Sequence, residues 1–162
     1  MGREVRMVPP DWKHPKNERG YIPLFPSGFE ERLADYVLGK QKWDEGFRKN
    51  WGSGEEWVPK DADHTYSYDE WDGGIPIEEE YMPTFPEGTA THLMMYEDTT
   101  EGTPISPAFA TPEELAQWLV DNEASANGDQ TASYEGWLRV CKGGFAPSMI
   151  MDSKGLRSGV DM

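Results

Sequence analysis

Cysteine is nearly missing from this chain. Cys141 stands alone, so no internal disulfide is available, and a single thiol fits a reducing compartment. Its expected role is that of a small buried hydrophobe. Long apolar runs are also missing: nothing approaches the roughly 20 residues that cross a bilayer. No apolar signal-peptide core follows Met1-Gly2-Arg3-Glu4, and Val5-Arg6 follows where N-myristoylation favours Ser or Thr. The expectation is a protein of the cytoplasm that does not engage a membrane. Metal-ligand spacing is absent too. His14, His64 and His92 are scattered, and there is no C-x-x-C, H-E-x-x-H or EF-hand loop. Asp61-Ala62-Asp63-His64 groups three oxygen or nitrogen donors but reads as exposed charge. No glycine-rich phosphate loop with its lysine and no G-x-S-x-G elbow occurs. Carboxylates are so numerous that no pair is marked for acid–base work. No catalytic residue, metal ligand or cofactor is assigned, and a non-enzymatic binding protein is expected.

The most informative shortage is of positive charge. The chain has 30 acidic and 15 basic residues, a net charge of -15. Residues 61–138 hold 18 of the acids and neither lysine nor arginine. Such a field repels DNA, RNA and anionic membranes and attracts basic protein surfaces. Asp61, Asp63, Asp69, Glu70, Asp72, Glu78, Glu79 and Glu80 are therefore the candidate partner-binding residues, expected to form one continuous exposed patch. The alternative is that the acids serve solubility alone.

What is plentiful is aromatic. Seven Trp, seven Tyr and six Phe argue for a packed core rather than disorder, and 162 residues suffice for one domain. The clearest local signal is Thr111-Pro112-Glu113-Glu114. Thr111 and Glu114 fit a capping box, Pro112 suits the first helical position, and Leu115, Trp118 and Leu119 share a face up to Asn122. Ser133 caps a second short helix over 134–141, ended by Gly143-Gly144. A third and longest helix is predicted from Ser27, with Ser27 and Glu30 as a capping box. Phe29, Leu33, Tyr36, Trp43, Phe47 and Trp51 mark its apolar stripe, a packing face or half of a homodimer contact. Residues 4–8 read as an edge strand before Pro9-Pro10. Residues 52–59 read as a breaker and 61–77 as irregular, within an acidic insertion over about 52–86. Residues 89–97 form the best strand, with Leu93 and Met95 on one face and Met94 and Tyr96 on the other. Residues 148–152 and 156–160 read as a hairpin. The predicted class is α+β: one domain, with a small mixed or antiparallel sheet covered on one face by three helices.

Small polar side chains gather beside rings in the second half. Ser106, Ser125, Asn127, Gln130, Thr131, Tyr134, Trp137, Phe145, Ser148, Arg157 and Ser158 supply hydroxyls, amides, stacking surfaces and one guanidinium. That chemistry suits a nucleotide pocket with Arg157 on the phosphate. The competing reading is that they cap and turn their own backbone.

Several stretches carry a resemblance: Thr91-His92, Met95-Tyr96-Glu97, residues 101–107 (EGTPISP), 111–119 (TPEELAQWL), Ala124-Ser125-Ala126, 131–138 (TASYEGWL), Phe145-Ala146-Pro147-Ser148 and Ser158-Gly159-Val160, with Val8-Pro9-Pro10, Trp12 and His14-Pro15. On these the chain resembles an uncharacterised family of small accessory proteins encoded by tailed bacteriophages. The resemblance implies a setting, the host bacterial cytoplasm, and no mechanism. Three roles fit that setting. One is a counter-defence inhibitor whose acidic surface, as a nucleic-acid mimic, blocks a basic nucleic-acid-binding site on a host immune effector. Another is a sponge that sequesters a nucleotide immune signal. The third is a virion or assembly component that uses the aromatics of residues 64–85 as a subunit contact.

Overall fold

A computed structural model describes residues 2–98, 100, 102–147, 149–153 and 155–161. In chain order the elements are β1 (Arg3–Val8), β2 (Lys16–Asn17), β3 (Gly20–Tyr21), α1 (Phe29–Asp44), β4 (Phe47–Lys49), β5 (Trp57–Pro59), α2 (Tyr68–Asp72), a 3-10 turn (Glu78–Glu80), β6 (His92–Glu97), β7 (Thr103–Phe109), α3 (Pro112–Asp121), α4 (Tyr134–Gly143), β8 (Phe145–Ala146), β9 (Met149–Asp152), β10 (Gly155–Ser158) and a 3-10 turn (Gly159–Asp161). The class is α+β. Two compact units result: Ser27–Tyr81, and Met1–Pro26 with Met82–Met162. Among the described residues no helix is long and apolar enough to cross a membrane.

The larger unit is built on an antiparallel four-stranded sheet in the order β7-β6-β1-β8. β6 alternates as its sequence requires. Leu93 and Met95 enter one core with Leu115, Leu119, Trp137, Val140 and Cys141, whereas Met94 and Tyr96 join Val8 on the opposite face. The helices on the first face are α3 and α4; α1, expected as the third, lies in the other unit. On the second face Trp12, Met82 and Phe85, together with Ala108 of β7, pack against that cluster, and none of them lies in a helix. β1, expected at an edge, pairs on both sides, along its length with β6 and at Arg3 and Glu4 with β8. The edge reading rested on Pro9-Pro10, which end the strand but do not keep a neighbour from pairing along it. Arg3 and Arg6 are 1% and 7% exposed, because each guanidinium is bonded inside the fold. Arg6 reaches the Leu24 carbonyl at 2.7 Å and Glu4 Oε1 at 2.7 Å, and lies 4.2 Å from the centre of the Tyr96 ring.

β7 was not legible as a strand because Pro104 and Pro107 interrupt it. Proline lacks the N–H of a ladder bond, so it belongs at a sheet edge or bulge. β7 has both: it is the outer strand, and the register slips between Met94 and Tyr96. There the amide of Met95 donates to Ser106 Oγ at 2.9 Å. The caps of α3 and α4 follow expectation in part. Thr111 Oγ1 accepts from the Glu114 amide and Ser133 Oγ from the Gly136 amide, but the reciprocal bond of the Thr111 capping box is not formed. Gly144 closes α4 at φ 88°, a left-handed position that favours glycine. β9 and β10 pair as the expected hairpin. Burial pushes the Cys141 thiol up to about 12, as suits a packing residue.

His14 shows how the second face is wired. It is 5% exposed. Nε2 meets the Ile22 carbonyl at 2.5 Å and Nδ1 the Tyr96 hydroxyl at 2.9 Å. A carbonyl only accepts, so Nε2 holds the proton of the neutral ring, and Tyr96 donates to Nδ1. The Trp12 indole donates to the same hydroxyl at 3.2 Å. Burial, reinforced by Arg6, holds the imidazole below its usual 6.5 despite the Ile22 bond. An unfolded chain therefore takes up this proton first. The stability tied to neutral His14 is complete above pH 6.5 and declines as the pH falls through 6.5 towards the lower folded value. Thermal melts at pH 7.5 and 5.5 should show a shallower acid loss for His14→Gln than for the wild type. Equal losses would remove His14 from the pH response.

The smaller unit centres on Tyr36, Trp43 and Tyr68, with Trp71 packed against them. α1 supplies the first two, so its stripe is a packing face, as expected. Its ends differ from expectation. The N-cap is Gly28 at φ 98°, with no side-chain cap from Ser27, and the helix stops at Asp44. Gly46, at φ 99°, turns the chain into the β4–β5 hairpin. Phe47 and Trp51 thus leave the stripe, and the predicted breaker ends in a strand. Residues 61–77, expected to be irregular, contain α2. Ser67 and Glu70 form a complete capping box there, a signal the aspartates and glycines around it obscured. Gly39 in α1 lies beneath the Tyr68 ring, where a Cβ would collide with its hydroxyl; close packing accounts for a helical glycine.

Candidate functional site

The polar residues proposed as a nucleotide pocket are mostly consumed by the fold. Ser106 patches the β6–β7 bulge. Ser125 accepts from Arg3 through its carbonyl at 2.8 Å and its hydroxyl at 3.1 Å. Asn127 and Gln130 pair through their backbones. Ser158 Oγ accepts from the Val160 amide at 3.2 Å. Trp137 is fully buried and offers no ring to a ligand. Tyr134 packs half-buried on the same core, Thr131 is exposed, and Phe145 is exposed on β8. Ser148 lies outside the described residues, as does the Arg157 side chain. The loop 124–131 is a clamp on Arg3, a partner with no sequence signal pointing to it.

The acidic candidates all fall in Ser27–Tyr81, which holds 15 acidic and six basic residues. Half of them have internal partners. Asp72 pairs with Arg32 and accepts from Tyr68 at 3.3 Å. Asp69 accepts from Tyr36, Glu70 closes the capping box of α2, and Asp61 lies 3.8 Å from Arg48. Burial, with Asp72 adding to it, pushes the Tyr68 phenol up to about 12; the Asp72 bond raises Arg32 further. Asp63, Glu78, Glu79 and Glu80 are exposed. Asp61, Asp63 and His64 bring their ligand atoms within 4.8 Å of one another, but His64 Nδ1 already accepts from the Asp61 amide at 3.0 Å. Cations from outside the 61–138 block also reach Glu97 and Glu113, through Arg3 at 3.3 Å and Lys142 at 3.6 Å. The block is therefore partly neutralised from both flanks, which its sequence did not disclose.

A cleft of about 430 Å³ opens in the smaller unit, lined by Trp51, Trp57, Trp71 and Tyr68 with Asp35, Glu56 and Asp72. The β4–β5 hairpin brings Trp51 and Trp57 to it, and α2 brings Tyr68, Trp71 and Asp72. Arg32 and Lys49 also line it, each held by a carboxylate, Asp72 and Glu56 respectively. The unit's own cations already sit on its indoles. Lys60 is 4.4 Å from the Trp43 ring, Lys49 5.1 Å from Trp57, and Arg48 6.0 Å from Trp71. Trp51 differs. It is 81% exposed and, among the described residues, no cation covers it. Sequence reading placed Trp51 on a helix stripe and so missed it. Comparison with known protein families, curated proteins and solved structures finds no match.

Proposed function

We propose that this protein is a non-catalytic binding module whose segment 27–81 docks a cationic segment of a partner protein. The observation that carries the reading is Trp51. Three of the four tryptophans in the unit each have a lysine or arginine over the ring, and the fourth is bare at the mouth of an acidic, aromatic cleft. An indole face attracts a guanidinium or ammonium through its quadrupole, more strongly once water is excluded. Asp35, exposed and free of any ion pair among the described residues, supplies the carboxylate. The excess of acids in the unit steers a basic partner towards it. This is cation capture in an aromatic cleft rather than imitation of a phosphate row, because Asp69, Glu70 and Asp72 of that row accept bonds within the unit and Asp61 lies beside Arg48. The phage resemblance makes a host immune effector with a basic nucleic-acid-binding surface the first partner to test.

Calorimetric titration of the full chain with an oligoarginine peptide tests the reading. Saturable binding that weakens steeply towards about 1 M salt is expected. Truncating an exposed hot-spot tryptophan costs about 2 kcal/mol or more, near thirtyfold in affinity, so Trp51→Ala should lose that much while its melting temperature stays put. Unchanged affinity in Trp51→Ala would refute the reading.

A further inference from the structure

The larger unit holds a second cleft of opposite character. It measures about 790 Å³ and runs between the N-terminal arm, β7 and α3. Trp12, Tyr21 and Trp118 give it aromatic walls, Lys13 and Lys16 line it, and among the described residues no carboxylate does. In a chain with twice as many acids as bases this is unexpected. The buried arginines of the same unit, Arg3 and Arg6, are each bonded to a glutamate. Lys13 and Lys16 are exposed and, among the described residues, neither forms an ion pair. The Lys16 ammonium lies 4.5 Å from the Tyr21 ring centre, which pre-positions a cation beside a flat surface. The wall is also fixed. Trp12 is pinned by its bond to Tyr96, and Phe85 meets its ring edge-on at 5.2 Å.

We propose that this cleft binds a small ligand carrying one aromatic base and a phosphate, a nucleoside monophosphate by class. The base would stack on the aromatic wall, and Lys13 and Lys16 would hold the phosphate through charge-assisted hydrogen bonds. Long nucleic acid is disfavoured, because the net charge of -15 repels a polyanion, whereas a single phosphate meets only the local pair of lysines. The inference is independent of the cationic docking above, since it uses the other unit and the opposite charge.

The test is calorimetry on the full chain with 5′-AMP and 5′-GMP, with adenosine and inorganic phosphate as partial ligands. Both nucleotides should bind saturably. Each partial ligand should bind at least about tenfold more weakly, the size expected for losing one charge-assisted bond or one stacked base. The double variant Lys13→Glu/Lys16→Glu should lose at least about tenfold, with its near-ultraviolet circular dichroism unchanged. Arg139→Glu, on the exposed side of α4, should keep full affinity. Absence of saturable binding of either nucleotide at millimolar concentration overturns the proposal. So does equal binding of adenosine, full affinity in the double variant, or binding of a single-stranded oligonucleotide in preference to the mononucleotides.

Discussion

Replacing Trp137 with alanine should cost about 3–5 kcal/mol, the usual range for a fully buried tryptophan. Such a loss is a large part of the 5–15 kcal/mol that holds a typical domain together. Trp137 is the largest side chain with no exposure and lies where α3, α4 and the sheet meet. Its indole Nε1 is buried and finds no hydrogen-bond partner among the described residues. That orphan donor makes a second, sharper outcome available. Trp137→Phe also leaves a cavity, but it removes a donor whose burial costs about 1–3 kcal/mol. Chemical denaturation should therefore find Trp137→Phe closer to the wild type than to Trp137→Ala. A phenylalanine variant as unstable as the alanine variant would mean that packing alone sets the position.

The second large effect belongs to Arg3. Its guanidinium joins β1, β6 and the loop 124–131, through Ser125, the Gly2 carbonyl and Glu97. Burial pulls its pKa below the ordinary value of a guanidinium, and Glu97 opposes that shift. Arg3→Met keeps the apolar stem but leaves the Ser125 carbonyl and Glu97 without their donor. Removing one member of a buried pair costs about 3–5 kcal/mol, and the lower end applies because Glu97 keeps some access to water. At roughly 2–4 °C per kcal/mol for a chain of this size, a fall in melting temperature near 10 °C is expected. Arg3→Met/Glu97→Gln should recover part of the loss, since it removes the stranded charge. A double variant worse than the sum of the single ones would contradict this account of the pair.

Much of the scaffold was legible because local chemistry and packing agree there. Thr111-Pro112 and Ser133 start helices whose apolar faces become the core, and the alternation in 92–97 places side chains on two covered faces. The reading failed where a residue type hides its context. Pro104 and Pro107 masked β7 because only an edge position with a hydroxyl-patched bulge accommodates them. Pro9-Pro10 suggested an edge for β1, and nothing local announces the carbonyls and carboxylates that receive Arg3 and Arg6 inside the sheet. Trp51 continued a helical spacing that Gly46 had already broken. The polar side chains of 124–131 suggested a ligand, and the partner of Ser125 is an arginine more than a hundred residues away in sequence.

The central claim is that the bare indole of Trp51 and its acidic cleft receive a cationic segment. Hydrogen exchange of the full chain, with and without saturating oligoarginine peptide, tests it most directly. Protection should concentrate in residues 47–59 and 68–72, and Trp51→Ala should abolish it. Protection confined to residues 87–138, or spread evenly over every acidic stretch, would show that the peptide responds to net charge and that the cleft has no part in recognition.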